Sequence, residues 1–382
     1  METTKVRTLI KQIRGVSYKP EDLHNELDDN SVILLRANNI DEGKINFDDV
    51  VYVDKSKVSD EQYLKDGDIL ICASSGSKNL VGKAASIRFN MECTFGAFCK
   101  LVRPKKDLCE YLGIYFQSPI YRRKMSEVAT GANINNIRNE HIDELDIPIF
   151  SNDEQAGIVK KMHLIQAIIS NRKVELEKLD NLIKARFVEM FGDPYVNPLK
   201  WKKLKIKDAV TVEPQNGLYK PQSDYVTDGS GIPILRIDGF YDGMVTDFAS
   251  LKRLKCSETE KQKYVLLEDD VVINRVNSIE YLGKCAHIKG LLEDTVYESN
   301  MMRMHFDPEY YNPVYICKLL CNQFIYDQIV NHAKKAVNQA SINQKDVLDF
   351  NIYQPPIDLQ NQFADFARQV DKSKVAVQKL FE

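Results

Sequence analysis

The feature that most constrains the fold of this 382-residue chain is an internal repeat, with an offset of about 200 residues. Residues 15–20 resemble residues 217–221, and residues 66–71 resemble residues 268–273. Further pairs keep the same order along both halves: 34–36 with 234–236, 80–84 with 282–286, 133–135 with 341–343, and 146–149 with 351–355. Because solenoid repeats run to about 20 to 50 residues, this period predicts a duplicated domain.

Each copy combines strand and helix patterns. Short apolar runs such as 50–53 and 271–273 predict strands, and Asp-Gly and Glu-Gly turns separate them. Apolar residues at helical spacing over 108–125 and 313–330 predict helices just before an asparagine-rich loop in each half. The predicted fold class is therefore α+β, with two similar mixed α/β domains.

Between the copies, residues 153–191 predict one long helix. Ser151 to Glu154 supply an N-cap, and Gly192-Asp193-Pro194 ends the pattern. About forty residues at 1.5 Å each make a rod of roughly 60 Å, which needs a partner along its length. The second copy ends in a similar but much shorter pattern, from about Ile357 to Glu382.

We expect these two helices to pack as an antiparallel coiled coil, which would relate the copies by a rough two-fold axis. Alternatively, each helix lies on its own domain as a core helix. The predicted interface consists of apolar positions at three and four spacing: Ile158, Met162, Ile165, Ile169, Leu176, Leu179 and Ile183 in the first helix, and Phe363, Phe366, Val370 and Val377 in the second.

Composition and motifs exclude several classes of protein. No run of about 18 apolar residues is present to cross a membrane, and residues 1–16 have no signal-peptide centre, so we expect a cytoplasmic protein. The eight cysteines form no C-x-x-C pair and no cluster with zinc spacing, so we predict free buried thiols and no metal site. Cys317 and Cys321 share a helical face, as any two small core residues would.

No catalytic residues are predicted. An amino-methyltransferase needs an Asp/Asn-Pro-Pro-aromatic motif, but Asn312-Pro313-Val314-Tyr315 lacks the second proline and is expected to start a helix. The chain has no phosphate-binding G-x-x-x-x-G-K-[ST] loop. The acidic segment 41–44 fits a turn, and the six histidines are scattered singly.

The order of these parts resembles the specificity subunit of type I restriction-modification systems. The motifs are Gly-Ala-Asn-Ile-Asn-Asn-Ile at 131–137, Asp-Ile-Pro-Ile at 146–149 and Asn-Asp-Glu-Gln at 152–155, and residues 185–194 also resemble the family. The resemblance covers essentially the whole chain. It implies target-recognition domains at 1–150 and 193–356, a central spacer helix at 151–192 and a short distal helix at 357–382, with the domains separated by the antiparallel helices about a pseudo-two-fold axis.

In that family each domain reads one half of a bipartite DNA target, and the helices set the spacer. The resemblance implies docking of methyltransferase subunits, two of them expected, and of restriction-translocase subunits. S-adenosylmethionine, ATP and magnesium are expected in those partners, with no cofactor in this chain. Two alternatives stay open: the recognition subunit of a type II restriction-modification enzyme, and a coiled-coil scaffold that binds no DNA.

DNA readout requires amide, guanidinium or ammonium groups on loops, and the net charge of −3 permits a local basic face. The loops 74–79 and 274–281 differ strongly within similar frames, as expected for two half-sites, although surface loops also drift. The predicted DNA contacts are Tyr18, Lys19, Arg36, Asn38, Asn39, Ser75, Ser77, Lys78, Asn79, Asn133 and Asn135 in the first copy, and Tyr219, Lys220, Arg236, Asn274, Arg275, Asn277, Tyr281, Lys334, Lys335, Asn338 and Gln339 in the second.

Some of these residues have a structural alternative. The amides of Asn135 and Asn343 could equally cap the next helix. Lys334 and Lys335 suit phosphates but could form a solvated face. The lysines between 200 and 207 are interpreted as a solvated strand edge.

Overall fold

The computed structural model describes residues 2–77, 79–129, 135–241, 243–245, 247–336 and 339–378. The chain divides into two compact units between Ser170 and Asn171. This division falls inside one helix, α4 (Asn152–Phe191), which has the bounds expected from its cap and stop signals. Within the described ranges, no helix is both long enough and apolar enough to cross a lipid bilayer.

Unit 1 is built from short strands and three helices among its described residues. The strands are β1 (Thr3–Lys5), β2 (Ile10–Arg14), β3 (Leu23–His24), β4 (Ser31–Leu35), β5 (Ile40–Asp41), β6 (Lys44–Ile45), β7 (Val51–Asp54), β8 (Ile69–Cys72), β9 (Ser74–Ser75), β10 (Ala84–Ser86), β11 (Cys93–Phe95), β12 (Cys99–Pro104), β13 (Asn135–Asn136) and β14 (Asp146–Pro148). The helices before α4 are α1 (Cys109–Tyr115), α2 (Pro119–Val128) and α3 (Asn139–Asp143).

Unit 2 repeats this order. Its strands are β15 (Lys202–Lys205), β16 (Val210–Asn216), β17 (Tyr225–Val226), β18 (Ile232–Leu235), β19 (Phe240–Tyr241), β20 (Gly243–Val245), β21 (Arg253–Leu254), β22 (Val271–Asn274), β23 (Val276–Asn277), β24 (Cys285–His287), β25 (Val296–Tyr297), β26 (Met301–Phe306), β27 (Lys334–Lys335), β28 (Ala340–Ser341) and β29 (Asn351–Gln354). Its helices are α5 (Glu258–Tyr264), α6 (Pro313–Leu320), α7 (Gln323–His332), α8 (Gln344–Leu348) and α9 (Ile357–Gln378).

The sheets of the two units share one pattern of pairing. In unit 1 the order is β10–β8–β12–β2, and in unit 2 the corresponding strands are β24–β22–β26–β16, extended by β20 and β19. A parallel pair follows in each unit, β4 with β11 and β18 with β25. The pairs β1–β14 and β15–β29 are antiparallel. The predicted duplication of a mixed α+β domain is therefore confirmed.

A buried carboxylate occupies the same place in both sheets. Asp68 is 1% exposed and accepts hydrogen bonds from Nε and Nη2 of Arg103 at 2.8 and 2.7 Å. Asp270 is fully buried and accepts from Nη1 of Arg303 at 3.0 Å, while His305 Nδ1 lies 3.1 Å from its other oxygen. Because a buried charge is tolerated only when paired and hydrogen-bonded, these clusters fix the strands around them.

Each predicted long helical stretch is broken into two helices. Ser118 caps α2 by accepting from the Tyr121 amide at 3.2 Å, and Pro119 fits the first helical turn because it has no amide hydrogen to leave unpaired. Asn322 caps α7 in the same way, accepting from the Phe324 amide at 2.9 Å. The capping residues therefore determine where the second helix of each pair begins, because the apolar spacing continues across the break.

Within unit 2, the end of α4 and α9 run antiparallel. Phe191 near the end of α4 packs on Phe363 near the start of α9, with ring centroids 5.4 Å apart. Asp180, three turns earlier in α4, pairs with Lys374 near the end of the described part of α9. As residue numbers rise in one helix they fall in the other, which confirms the predicted direction of packing.

The same helices also line the core of the domain in unit 2. Phe187 stacks on Tyr315 of α6 with centroids 5.6 Å apart and an interplanar angle of 8°. Ile183, Phe363 and Val370 are buried in that core. Leu179 and Phe366 are half-buried against it, and Val377 is 7% exposed. Coiled-coil packing and the core-helix alternative are thus both present at this end of α4.

Several predicted interface positions in the first half of α4 are exposed or pack within unit 1. Ile165 and Ile169 are 47% and 40% exposed, so they are corrected to surface positions. Ile158 instead packs against the core of unit 1. Met162 and Leu176 are half-buried. The described part of α9 has 22 residues against 40 in α4.

Candidate nucleic-acid interface

In unit 1, the turn 96–98 joins three of the predicted DNA-binding segments. The Gly96 amide donates to the carbonyl of Leu35 at 2.9 Å, and the Ala97 amide donates to the carbonyl of Val16 at 2.9 Å. The Phe98 carbonyl accepts from the Ser74 amide at 3.0 Å. The turn therefore brings together the segments that carry Arg36, Tyr18 and the loop 74–79.

The turn 298–300 does the same in unit 2. The Glu298 amide donates to the carbonyl of Leu235 at 3.0 Å, and the Ser299 amide donates to the carbonyl of Leu218 at 3.0 Å. Arg275 is held twice, by its amide to the Asn300 carbonyl at 2.8 Å and by Nη1 to the Ser299 carbonyl at 3.3 Å. Sequence reasoning missed both turns, because nothing in their residue types distinguishes them.

Close contact at these turns explains the glycine that opens each repeat. A Cβ on Gly15 would lie 2.2 Å from the carbonyl oxygen of Gly96. A Cβ on Gly217 would lie 2.4 Å from the carbonyl oxygen of Glu298. Any other residue would push the turn away.

The described end of the asparagine-rich segment of unit 1, residues 135–136, pairs directly with residues 74–75. Strand β13 is antiparallel to β9, with Asn135 opposite Ser75. Ser74 Oγ lies 2.9 Å from Asn136 Oδ1 and donates to it. Two regions far apart in sequence therefore form one surface, which we call candidate surface 1 and define as residues 16–19, 36–39, 74–77, 79, 96–98 and 135–136.

Unit 2 brings together the corresponding segments and a basic pair. Strand β28 lies between β23 and β27, so Ser341 is opposite both Val276 and Lys334. Lys334, Lys335 and Gln339 are exposed on this small sheet. Candidate surface 2 is defined as residues 218–220, 236–239, 275–281, 298–300, 334–336 and 339–341.

A side chain from the second helix of each copy holds the variable loop. Arg122 of α2 donates to the carbonyls of Asn79 and Val81 at 2.7 and 2.8 Å. The hydroxyl of Tyr326 in α7 donates to the Ile279 carbonyl at 3.1 Å. Both are positioning residues that the sequence could not identify, since a helical arginine or tyrosine has many possible partners.

Several predicted DNA contacts are accessible. The side chain of Lys19 is 76% exposed despite an ion pair with Glu21 at 3.6 Å. Tyr219 and Tyr281 are 77% and 57% exposed. Ser77 and Asn79 are exposed, and Tyr18 is half-buried. Lys78, Asn133 and Asn338 lie outside the described residues.

Lys220 differs from its counterpart Lys19 because it is already paired. Its ammonium lies 2.9 Å from Glu260 and 3.6 Å from Asp224. The hydrogen bond with Glu260 raises the pKa of Lys220. The Ser257 amide, followed by Lys220 itself, lowers the pKa of Glu260 to about 2. A phosphate would have to displace carboxylates to reach this lysine.

The two matched arginines are also engaged within their own units. Arg36 Nη2 lies 3.0 Å from the Asp49 carboxylate, which Asn38 also contacts at 2.8 Å. Arg236 lies over the ring of Tyr225, 5.6 Å from its centroid, and its Nη1 donates to that hydroxyl at 3.3 Å. Their roles as DNA contacts remain predictions. To contact DNA, each arginine would have to give up its present partner for a group of the DNA.

Two predicted contacts are corrected to structural roles. Asn39 is 1% exposed; its Oδ1 accepts from the Arg36 amide at 2.7 Å and its Nδ2 donates to the Asn46 carbonyl at 2.9 Å. Asn274 is fully buried and donates to the Tyr281 carbonyl at 3.1 Å. Both amides hold the loops that carry the exposed candidates.

Replacing either buried amide should therefore cost stability. We expect Asn274→Ala to lower the free energy of unfolding by about 1 to 3 kcal/mol, because it leaves the Tyr281 carbonyl without its donor. Urea denaturation measures this loss. The matched control is Asn277→Ala, a half-buried residue whose Oδ1 accepts from the next amide at 2.8 Å. Equal losses for both variants would contradict the structural role of Asn274.

The capping alternative applies to only one of the two amides. Asn343 caps α8, accepting from the amides of Lys345 and Asp346 at 2.8 and 3.1 Å. Asn135 lies in β13 instead, where it faces the loop. Ser75 has a local role as well, since its hydroxyl accepts from the Ser77 amide at 3.2 Å.

The expected turn and helix start outside these surfaces are also found. Residues 41–44 link β5 to β6 as a hairpin, with Glu42 and Gly43 at φ of 43° and 80°. Asn312 caps α6 immediately before Pro313. Among the residues that the structure describes, one group of side chains could hold a metal: Cys285, Cys317 and Cys321 lie together in unit 2.

Comparison with known proteins identifies the class to which this repeated architecture belongs. Residues 18–179 match the family model described as the type I restriction modification DNA specificity domain. The chain is 33% identical to the type I restriction enzyme EcoKI specificity subunit of Escherichia coli K12 over 96% of its length and 80% of that protein. It therefore belongs to the type I restriction-modification specificity subunit family.

Other relatives and structures agree with this assignment. The StySPI specificity subunit of Salmonella potsdam is 31% identical over 97% of this chain and 81% of that protein. In fold, the chain resembles the type I S subunit of M. genitalium, with a TM-score of 0.52, 14% identity and coverage of 99% and 91% of the two chains. The type II and scaffold alternatives gain no support from these relatives.

Proposed function

We propose that each unit reads one half of a bipartite double-stranded DNA target, unit 1 through candidate surface 1 and unit 2 through candidate surface 2. The observation that carries the proposal is that each turn, 96–98 or 298–300, gathers loops from separate parts of the chain onto one frame. The two units share the same arrangement of strands around these turns, but the side chains of the loops that the turns hold differ in chemistry. Different loops on one frame suit the reading of different half-sites.

The long helix sets the spacing between the two half-sites. It also binds methyltransferase subunits, two per chain, and restriction-translocase subunits then join this complex. An exposed apolar face on α4 supports docking of protein there: Leu164 is 62% exposed and Ile168 is 51% exposed, next to Ile165 and Ile169. Such a face is costly to leave in water. The chain acts without catalysis of its own, and S-adenosylmethionine, ATP and magnesium belong to its partners.

Binding to labelled duplexes, with the methyltransferase subunits added, tests this proposal. The complex should retain a duplex carrying the target more tightly than a scrambled one, and retention should weaken as salt rises because phosphate contacts release counterions. Methylome sequencing of a host carrying the system supplies the target. Absence of any salt-sensitive, sequence-dependent retention would overturn DNA reading.

The basic pair on β27 allows a sharper test. We expect Lys334→Gln with Lys335→Gln to weaken binding to all sequences alike and to reduce the slope of log affinity against log salt by about 1 to 2. The matched control is Lys202→Gln with Lys203→Gln, since these lysines are also exposed and adjacent on a short strand but lie outside candidate surface 2. Equal effects of both double variants would argue against phosphate contact at β27.

A further inference from the structure

Three cysteine thiols meet in unit 2, although they come from different elements. Cys285 lies in β24, Cys317 lies in α6, and Cys321 follows the end of that helix. The sulfur of Cys285 is 3.5 Å from that of Cys317 and 3.3 Å from that of Cys321, and all three lie within 4.8 Å of one another. Two sulfurs on one tetrahedral zinc ion, each about 2.3 Å from it, are separated by roughly 3.8 Å. The three sulfurs are therefore close enough to share one metal ion, which would hold them a few tenths of an ångström further apart.

One thiol is accessible while two are sheltered. Cys285 and Cys317 are buried, whereas Cys321 is exposed. Cys321 lines a cavity of about 440 Å³, together with Ile183 and Phe187 of α4 and with Gln323 of α7. The cavity therefore reaches the cluster at Cys321. Three protein ligands with an open fourth position are a recognised arrangement for zinc.

The repeated frame does not need cysteines at these places. Strand β10 of unit 1 corresponds to β24, and Ala84 opposite Ile71 takes the place of Cys285 opposite Ile273. Counting from the helix caps Ser118 and Asn322, the positions of Cys317 and Cys321 correspond to Gly113 and Gln117. Unit 1 thus builds the same sheet and helices without thiols, so packing of the frame alone does not account for the cluster.

We propose that Cys285, Cys317 and Cys321 form a three-thiolate site for a soft divalent cation, zinc being the ion to test, with an exchangeable fourth ligand in the cavity. On binding, each thiol that coordinates releases its proton to solvent, so occupancy rises with pH. The site is separate from candidate surface 2 and is independent of DNA reading.

The test uses the full chain under reducing conditions, titrated with zinc against a chromophoric chelator. We expect one zinc per chain with a dissociation constant of about 1 µM or tighter. X-ray absorption at the zinc edge should count three sulfur neighbours at about 2.3 Å. Cys321→Ser should keep the fold, because that side chain is exposed, and should weaken binding at least about tenfold.

Cys256→Ser is the matched control, since Cys256 is half-buried and lies outside the cluster. It should bind zinc as the unaltered chain does. Failure to bind one equivalent, a sulfur count below three, or equal loss in both serine variants would each overturn the proposal. The sulfur count is measured on the unaltered chain, so a misfolded variant cannot decide the outcome.

Discussion

Replacing Asn277 by alanine should relax sequence preference at one half of the DNA target and leave the other half unchanged. Asn277 lies in β23, on the loop of candidate surface 2 that pairs with β28. One amide contact to a base edge contributes about 1 to 3 kcal/mol of discrimination, so tolerance at the affected position should rise about 5- to 150-fold. Arg275→Ala should affect the same half-site, through loss of its bond to the turn or of a base contact.

Substitution in the other unit supplies the matched comparison. Lys78→Ala with Asn79→Ala alters the loop of candidate surface 1 and should relax the opposite half-site. Methylation mapping of DNA modified by the complex, formed with each variant, measures both halves in one experiment. A variant that relaxed both halves equally would contradict the division of reading between the units.

Replacing Asp270 by alanine should destabilise unit 2 by about 3 to 5 kcal/mol. The substitution leaves Arg303, whose side chain is only 13% exposed, without its carboxylate partner. Loss of one member of a buried ion pair costs more than the pair contributes, because the remaining charge stays out of water. Trp201, the only tryptophan, lies in unit 2 and donates from Nε1 to the Phe191 carbonyl at 2.8 Å, so its fluorescence reports unfolding there.

Two controls separate this effect from a general one. Asp68→Ala removes the corresponding carboxylate of unit 1 and should shift the circular dichroism transition of that unit more than the tryptophan transition. Asp365→Ala removes an exposed ion pair with Arg368 and should cost less than about 0.5 kcal/mol. If Asp270→Ala cost no more than Asp365→Ala, the buried cluster would not hold the sheet.

Much of the fold was predictable from sequence because the repeat presents each local signal twice. Apolar runs located β7 and β22, and the cap and stop signals located both ends of α4. The apolar stripe of α4 was less informative. It predicted one continuous interface, and among the described residues of unit 2 the C-terminal part of α4 packs on α9, while Ile165 and Ile169 are exposed. A periodic pattern does not show where its partner helix ends.

The candidate surfaces were only partly predictable, for a physical reason. Residue type and loop position do not show whether a side-chain amide faces solvent or forms hydrogen bonds with the backbone. For this reason Asn39 and Asn274 were predicted together with the exposed residues. Likewise, the thiol cluster depends on Cys285, which the sheet brings to Cys317 from 32 positions earlier in the chain. Only tertiary structure could reveal that neighbour.

The pairing of β9 with β13 has a consequence for engineering new targets. Ser75 and Asn135 are opposite one another, although 60 residues separate them in sequence, and β23 with β28 repeats the arrangement in unit 2. A graft that transfers only the first loop would leave each new strand beside a mismatched neighbour. Exchange of specificity by transplantation therefore requires both strands to travel together, as one cassette drawn from two places in the gene.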